Sequence, residues 1–191
     1  APDIVARAIR LSDARVIAKR AEVWRSSFLA QEVAVARWGE DGRPVLLFPT
    51  AGGDAEEVER FRMVEALAPL VRAGRIQLFS CDSVPGQCWV SDAYPASHCS
   101  WVQNRFDEFL YYELAPYMRH LAGSANEIVT AGASLGALYA LAAVCRHPDV
   151  FSHAVCMSGK YDLVEMLDGE RMSLDFYYSS PLHFLPGLGE G

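Results

Sequence analysis

The chain contains no run of about 18 or more apolar residues, which excludes an α-helix that spans a membrane. Its N-terminus shows no charged-then-apolar secretory leader. The first residue is Ala1 rather than Met, which suggests that a few residues precede it. Positive charge is also scarce. Seventeen Lys and Arg stand against 24 Asp and Glu, a formal net charge of −7. Nucleic-acid partners need the opposite balance. Arg7, Arg10, Arg15, Arg20 and Arg25 gather near the start and read as a solvated face rather than a basic tail.

Metal and phosphate chemistry lack their spacings too. The five cysteines (Cys81, Cys88, Cys99, Cys145 and Cys156) are odd in number, and none form a C-x-x-C pair. They read as reduced, mostly buried thiols of a cytoplasmic protein; a Cys88–Cys99 disulfide is the lesser alternative. Neither G-x-x-x-x-G-K-[ST] nor G-x-G-x-x-G occurs. No metal site is expected from these spacings, and no internal repeat is visible.

What is present suits one domain with a substantial core: 191 residues, 51% of them hydrophobic. Residues 3–20 are compatible with helix or extended chain, and an N-terminal arm is expected over 1–21. The domain then runs from 22 to 191. EVAVARW (32–38) alternates like a half-buried strand. PVLLFP (44–49) is a short continuous apolar run, as in an interior parallel strand. Residues 55–73 carry Val58, Phe61, Val64, Leu67 and Leu70 at helical spacing. RIQLFSCD (75–82) reads as a strand, 83–100 as a long loop and 101–121 as a helix. NEIVTAG (126–132) is a strand, 135–147 a helix and SHAVCMSG (152–159) a further strand. Strands alternating with helices predict an α/β domain with a mostly parallel sheet.

One short stretch carries chemistry: Gly132-Ala133-Ser134-Leu135-Gly136. G-x-S-x-G alone is weak evidence, arising by chance in roughly one chain in fifteen of this length. Its context is stronger, because a strand precedes it and a helix follows directly. That setting points to Ser134 as a nucleophile on a sharp strand-to-helix turn. Gly132 and Gly136 would remove side chains that collide with the neighbouring strand and helix. The helix N-terminus would favour developing negative charge. An oxyanion hole would take the N–H of Leu135 and one from the loop after PVLLFP. Ala51 is the favoured donor there, with Thr50 and Gly52 as neighbours. The plainer alternative is a glycine-rich turn with a capping serine.

PVLLFPTAGG, MVEALAPLVRAGRIQLFSCDSV and TAGASLGALYALAAVCRHPDVFSHAVCMSGKYDL together resemble the "Putative esterase" group of α/β-hydrolases, which includes esterase D-like and mycolyltransferase-like enzymes. The resemblance covers roughly residues 22–188. It implies a serine hydrolase without a cofactor, acting on carboxylic esters or thioesters, with Ser134 at the nucleophile position. It also implies an acid and then a histidine later in the chain. Here the residues after Ser134 hold one helix, one strand and an irregular tail. His147, His153, His183, His120 and His98 are each poor candidates for the base. Asp162, Asp168 and Asp175 read as surface or capping residues.

The expectation is therefore an N-terminal portion of the family fold, lacking its last strands. The triad acid and histidine would lie outside this chain. Strand 152–159 would then be an apolar edge covered by a C-terminal segment, a second chain or a homo-oligomer. Trp89 and Tyr94 are candidate walls of a substrate pocket, whereas Trp101 reads as core packing beneath the loop. The expected activity is serine esterase on a small-molecule ester. An acyltransferase on the same site and a non-catalytic hydrolase-like binding domain are the alternatives.

Overall fold

The computed structural model describes residues 17–123 and 127–189. Most of the expected arm, including Arg7, Arg10 and Arg15, lies outside these. Six strands form one sheet: β1 (Lys19–Arg25), β2 (Glu32–Trp38), β3 (Arg43–Phe48), β4 (Ile76–Cys81), β5 (Ile128–Ala133) and β6 (Phe151–Met157). Their spatial order is β1-β2-β4-β3-β5-β6. β1 and β2 pair antiparallel, as do β2 and β4. β4, β3, β5 and β6 are mutually parallel. The sheet is thus mostly parallel, as expected. β1 crosses residue 21, so the described sheet begins within the stretch read as an arm.

Side chains alternate across the strands and build two cores. Leu46 and Phe48 of β3 join Phe79, Phe106, Phe109 and Tyr139 on one face. Val45 and Leu47 join Trp38, Leu78, Val58 and Val64 on the other. The first face is covered by α4 (Ala96–Phe109), α5 (Ala115–Ala122) and α6 (Leu135–Arg146). The second is covered by α1 (Glu57–Arg60) and α2 (Met63–Arg72).

Two expectations need correction. Residues 55–73 are not one helix. Arg62 takes a left-handed conformation at φ 63° and separates α1 from α2. Its guanidinium closes on Glu65 at 2.7 and 2.9 Å. The break turns Phe61 out of the apolar face and leaves it 69% exposed. Nor is 83–100 a loop. It contains α3 (Val84–Trp89), with Pro85 in its first turn, and the start of α4 after Pro95. The α4 start is capped from far away: Glu170 accepts the N–H of Ala96 at 2.7 Å and of Ser97 at 3.1 Å.

The expected helix at 101–121 is α4 and α5, joined by a π-helical turn at Leu110–Leu114. Pro116 has no N–H for the Tyr112 carbonyl one turn back, and the ladder widens there. The tail forms short turns: a 3₁₀ turn at Val164–Leu167, α7 (Leu174–Ser179), α8 (Pro181–Phe184) and a second 3₁₀ turn at Leu185–Gly187.

β6 ends the sheet. Among the described residues, no strand pairs with its outer edge. Cys156 donates to the Ala137 carbonyl and so faces α6. Its neighbour Val155 faces the other side and is 54% exposed.

Candidate active site

β3 and β5 are adjacent and parallel, with Phe48 opposite Gly132. The chain segments that follow them therefore leave the sheet side by side. One is the loop Thr50–Gly53; the other is the turn into α6.

Ser134 sits at the apex of that turn with φ 56° and ψ −121°. Non-glycine residues rarely hold positive φ, and here the surroundings impose it. The Ser134 N–H donates to the Met157 carbonyl at 3.1 Å. Its own carbonyl accepts from Ala137 and Lys160, each at 3.2 Å. The backbone is thereby pinned on both sides while the residue stays exposed. Among the described residues, no side chain hydrogen-bonds to Ser134 Oγ.

The two glycines are steric requirements. A Cβ on Gly132 would overlap the Gly136 carbonyl and lie 2.9 Å from Ala137 N. A Cβ on Gly136 would overlap the Pro49 carbonyl and lie 2.6 Å from the Phe48 oxygen. The helix start thus packs directly on the chain entering the Thr50–Gly53 loop.

Leu135 opens α6, and its N–H has no carbonyl a turn back. In the facing loop, the Thr50 N–H is already given to Glu57 Oε1 at 2.7 Å. Those of Ala51 and Gly52 have no acceptor among the described residues. Of the three expected loop donors, Thr50 already has an acceptor, whereas Ala51 and Gly52 have none among the described residues.

An apolar cavity of about 90 Å³ lies behind the turn on the α2 side. Leu47, Val58, Phe61, Ala131 and Met157 line it, together with Gly132 and Pro49.

Among the described residues, no histidine hydrogen-bonds to Ser134 Oγ. His147 ends α6 and bonds Asp107 Oδ2 at 2.8 Å while stacking on Tyr111. His153 is exposed on β6, with Nδ1 at 2.9 Å from Ser152 Oγ. His98 stands in the first turn of α4, stacked on Tyr94 at 5.0 Å. His183 packs edge-on to Phe176, and His120 is exposed on α5. Asp162 accepts the Val164 N–H at 2.9 Å, and Asp175 accepts from Asn104 at 3.1 Å. Asp168 is a left-handed residue closing a 3₁₀ turn.

Trp89 belongs to the core. It is 8% exposed, and its indole donates to Gln103 at 2.7 Å. Trp101, expected beneath a loop, is instead 48% exposed. The five cysteines are free thiols, three of them buried. Burial pushes the Cys88 and Cys99 thiols up, so neither is a ready nucleophile. Among the described residues, no three His, Cys, Asp or Glu side chains gather into a metal site, and no helix is long and apolar enough to cross a membrane.

The parallel sheet, its flanking helices and the serine at the β5–α6 turn define an α/β-hydrolase-type fold. Solved structures share it. A fluorophosphonate-binding serine hydrolase of Staphylococcus aureus superposes with a TM-score of 0.66 at 13% identity, over 91% of this chain and 74% of its own. An S-formylglutathione hydrolase from Agrobacterium tumefaciens gives 0.66 at 13%, over 90% and 71%. A CE1 ferulic acid esterase from Anaeromyces mucronatus gives 0.62 at 15%, over 79% and 61%. The chain thus spans less than two thirds of the ferulic acid esterases it matches. No curated protein matches the sequence. The family described as "Putative esterase" matches residues 58–181, and the chain belongs to that esterase family.

Proposed function

We propose that this chain carries the nucleophile of a serine ester hydrolase acting on carboxylic esters or thioesters. The observation that carries the reading is Ser134, exposed and at positive φ, on a turn that leaves the sheet next to the Thr50–Gly53 loop, whose Ala51 and Gly52 N–H groups have no acceptor among the described residues. In the proposed reaction, Ser134 Oγ attacks the substrate carbonyl carbon. The carbonyl oxygen becomes an oxyanion held by the N–H groups of Leu135 and Ala51. Collapse breaks the bond to the leaving alcohol or thiol and leaves an acyl-serine, which water hydrolyses.

A histidine must take the Ser134 proton and return it to the leaving group. In this reading it and its orienting acid come from a further stretch of polypeptide or from a second chain. The outer edge of β6, which no strand pairs among the described residues, supports that reading. So does the partial span of the chain against the solved esterases. The five free thiols favour a reducing compartment, hence the cytoplasm.

A non-catalytic hydrolase-like domain is the second reading. It is favoured by the absence, among the described residues, of any partner for Ser134 Oγ. An alkyl fluorophosphonate separates the two. The expected result is covalent labelling at Ser134, located by peptide mass spectrometry and lost in Ser134→Ala. A folded protein that stays unlabelled, alone and with its completing segment, favours the second.

A further inference from the structure

Glu57 is a buried acid, 8% exposed, in the first turn after the candidate oxyanion loop. Its Oε1 accepts the Thr50 N–H at 2.7 Å and the Thr50 hydroxyl at 2.8 Å. Burying a carboxyl is costly unless donors reach it, and two from one residue do. Gly53 makes room for it, since a side chain there would strike the carboxyl group. The rest of the loop is tied down as well. The Gly53 carbonyl accepts from Ser83 N at 2.9 Å, and the Ala55 N–H donates to Asp82 at 3.0 Å.

These ties sort three consecutive N–H groups. Thr50 is drawn toward α1, and Ala51 and Gly52 are left without acceptors among the described residues. A loop free to rotate its Thr50 peptide would present these donors in several arrangements. Stabilising a developing oxyanion needs one arrangement set in advance.

We propose that Glu57 is a positioning residue: it fixes the Thr50 peptide so that the Ala51 N–H is the loop's donor to an oxyanion formed at Ser134. The proposal rests on the reading of Ser134 as the nucleophile.

The test compares the full chain with Glu57→Ala, Glu57→Gln and Glu57→Asp. Three quantities are measured: the second-order rate of fluorophosphonate labelling at Ser134, amide exchange at Thr50, and Tm. Glu57→Ala is expected to slow labelling about tenfold or more, well below its Tm, and to expose the Thr50 amide. Glu57→Gln keeps an acceptor of the same length and is expected to label within about threefold of the parent. Glu57→Asp withdraws the acceptor by one methylene and is expected to follow Ala, so it serves if Ala does not fold. Equal labelling rates in the parent and in the Ala or Asp variant overturn the role of Glu57, even if Tm falls. A folded parent that never labels, alone or with its completing segment, overturns the nucleophile itself.

Discussion

At Gly136 the effect of one methyl group can be read from its neighbours. Both atoms that a Cβ would strike are backbone oxygens at the end of β3, so neither can rotate away. The helix start would have to lift off the Thr50–Gly53 loop. Gly136→Ala is expected to destabilise the fold by about 1–3 kcal/mol, the range of small-to-large changes in tight packing. It should also slow fluorophosphonate labelling more than its loss of stability explains, because the donors of Leu135 and Ala51 move apart. Urea unfolding and labelling of the same sample check both effects. A variant with the parent's midpoint and labelling rate would mean that the turn relaxes freely.

At the scale of elements, two glutamates hold helices through partners distant in sequence. Glu170 caps α4 from 74 residues away. The Ser97 hydroxyl and the N–H groups of Ala96 and Ser97 hold its carboxyl below the usual value, against the opposing effect of burial. At Glu113 burial alone would raise the carboxyl. Hydrogen bonds from the Ser27 hydroxyl and N–H and the Trp24 indole outweigh it and lower it instead. A folded-state value below the unfolded one means that the contribution is complete above the ordinary glutamate value of 4.5. It is lost as pH falls through the depressed folded value. Tm is therefore expected to drop on acidification below about pH 4.5. Glu113→Gln should have a lower Tm at neutral pH and a shallower acid slope. Glu170→Ala should lower Tm at neutral pH and raise the exchange of the Ala96 and Ser97 amides. Parallel Tm–pH curves for parent and Glu113→Gln would refute the linkage.

The same elements mark how far sequence reading reaches. β2, β3 and β5 were legible because apolar residues alternate or run together there, and turn residues bound them. Gly132-x-Ser134-x-Gly136 was legible because its steric demand is local to five residues. β1 was not, since KRAEVWR lies almost wholly exposed and has no apolar face to pattern. The break at Arg62 was not legible either, because apolar spacing continues across it. The Glu170 cap and the Glu57–Thr50 clamp depend on tertiary placement, which spacing does not encode. That Trp89 is buried while Trp101 is half exposed was not legible for a related reason. Aromatic content says that a core is near, but not which ring enters it.

At the scale of the whole molecule, the outer edge of β6 sets the next question. Among the described residues no strand pairs with its outer edge, and on its α2 side Val155 is half exposed. Natural sheets blunt such edges with charge, proline or cover, and FSHAVCM has no Lys, Arg, Asp, Glu or Pro to do so. Cover from further polypeptide, whether a continuing segment or a second chain, is the arrangement that the proposed function expects at this edge. The 191-residue chain on its own is then expected to self-associate with rising concentration. The β6 amides that point away from β5 should exchange fast in the monomer and slowly in the associated form. Val155→Lys places a charge on the bare face and should keep the chain monomeric without lowering Tm, because the side chain it replaces is largely in water. Sedimentation velocity over a hundredfold concentration range reads the association, and exchange at β6 locates it. A chain that stays monomeric throughout, with β6 amides as protected as those of β5, would show that the edge is closed by some means within the chain itself, and the triad partners would then have to be sought among its own residues.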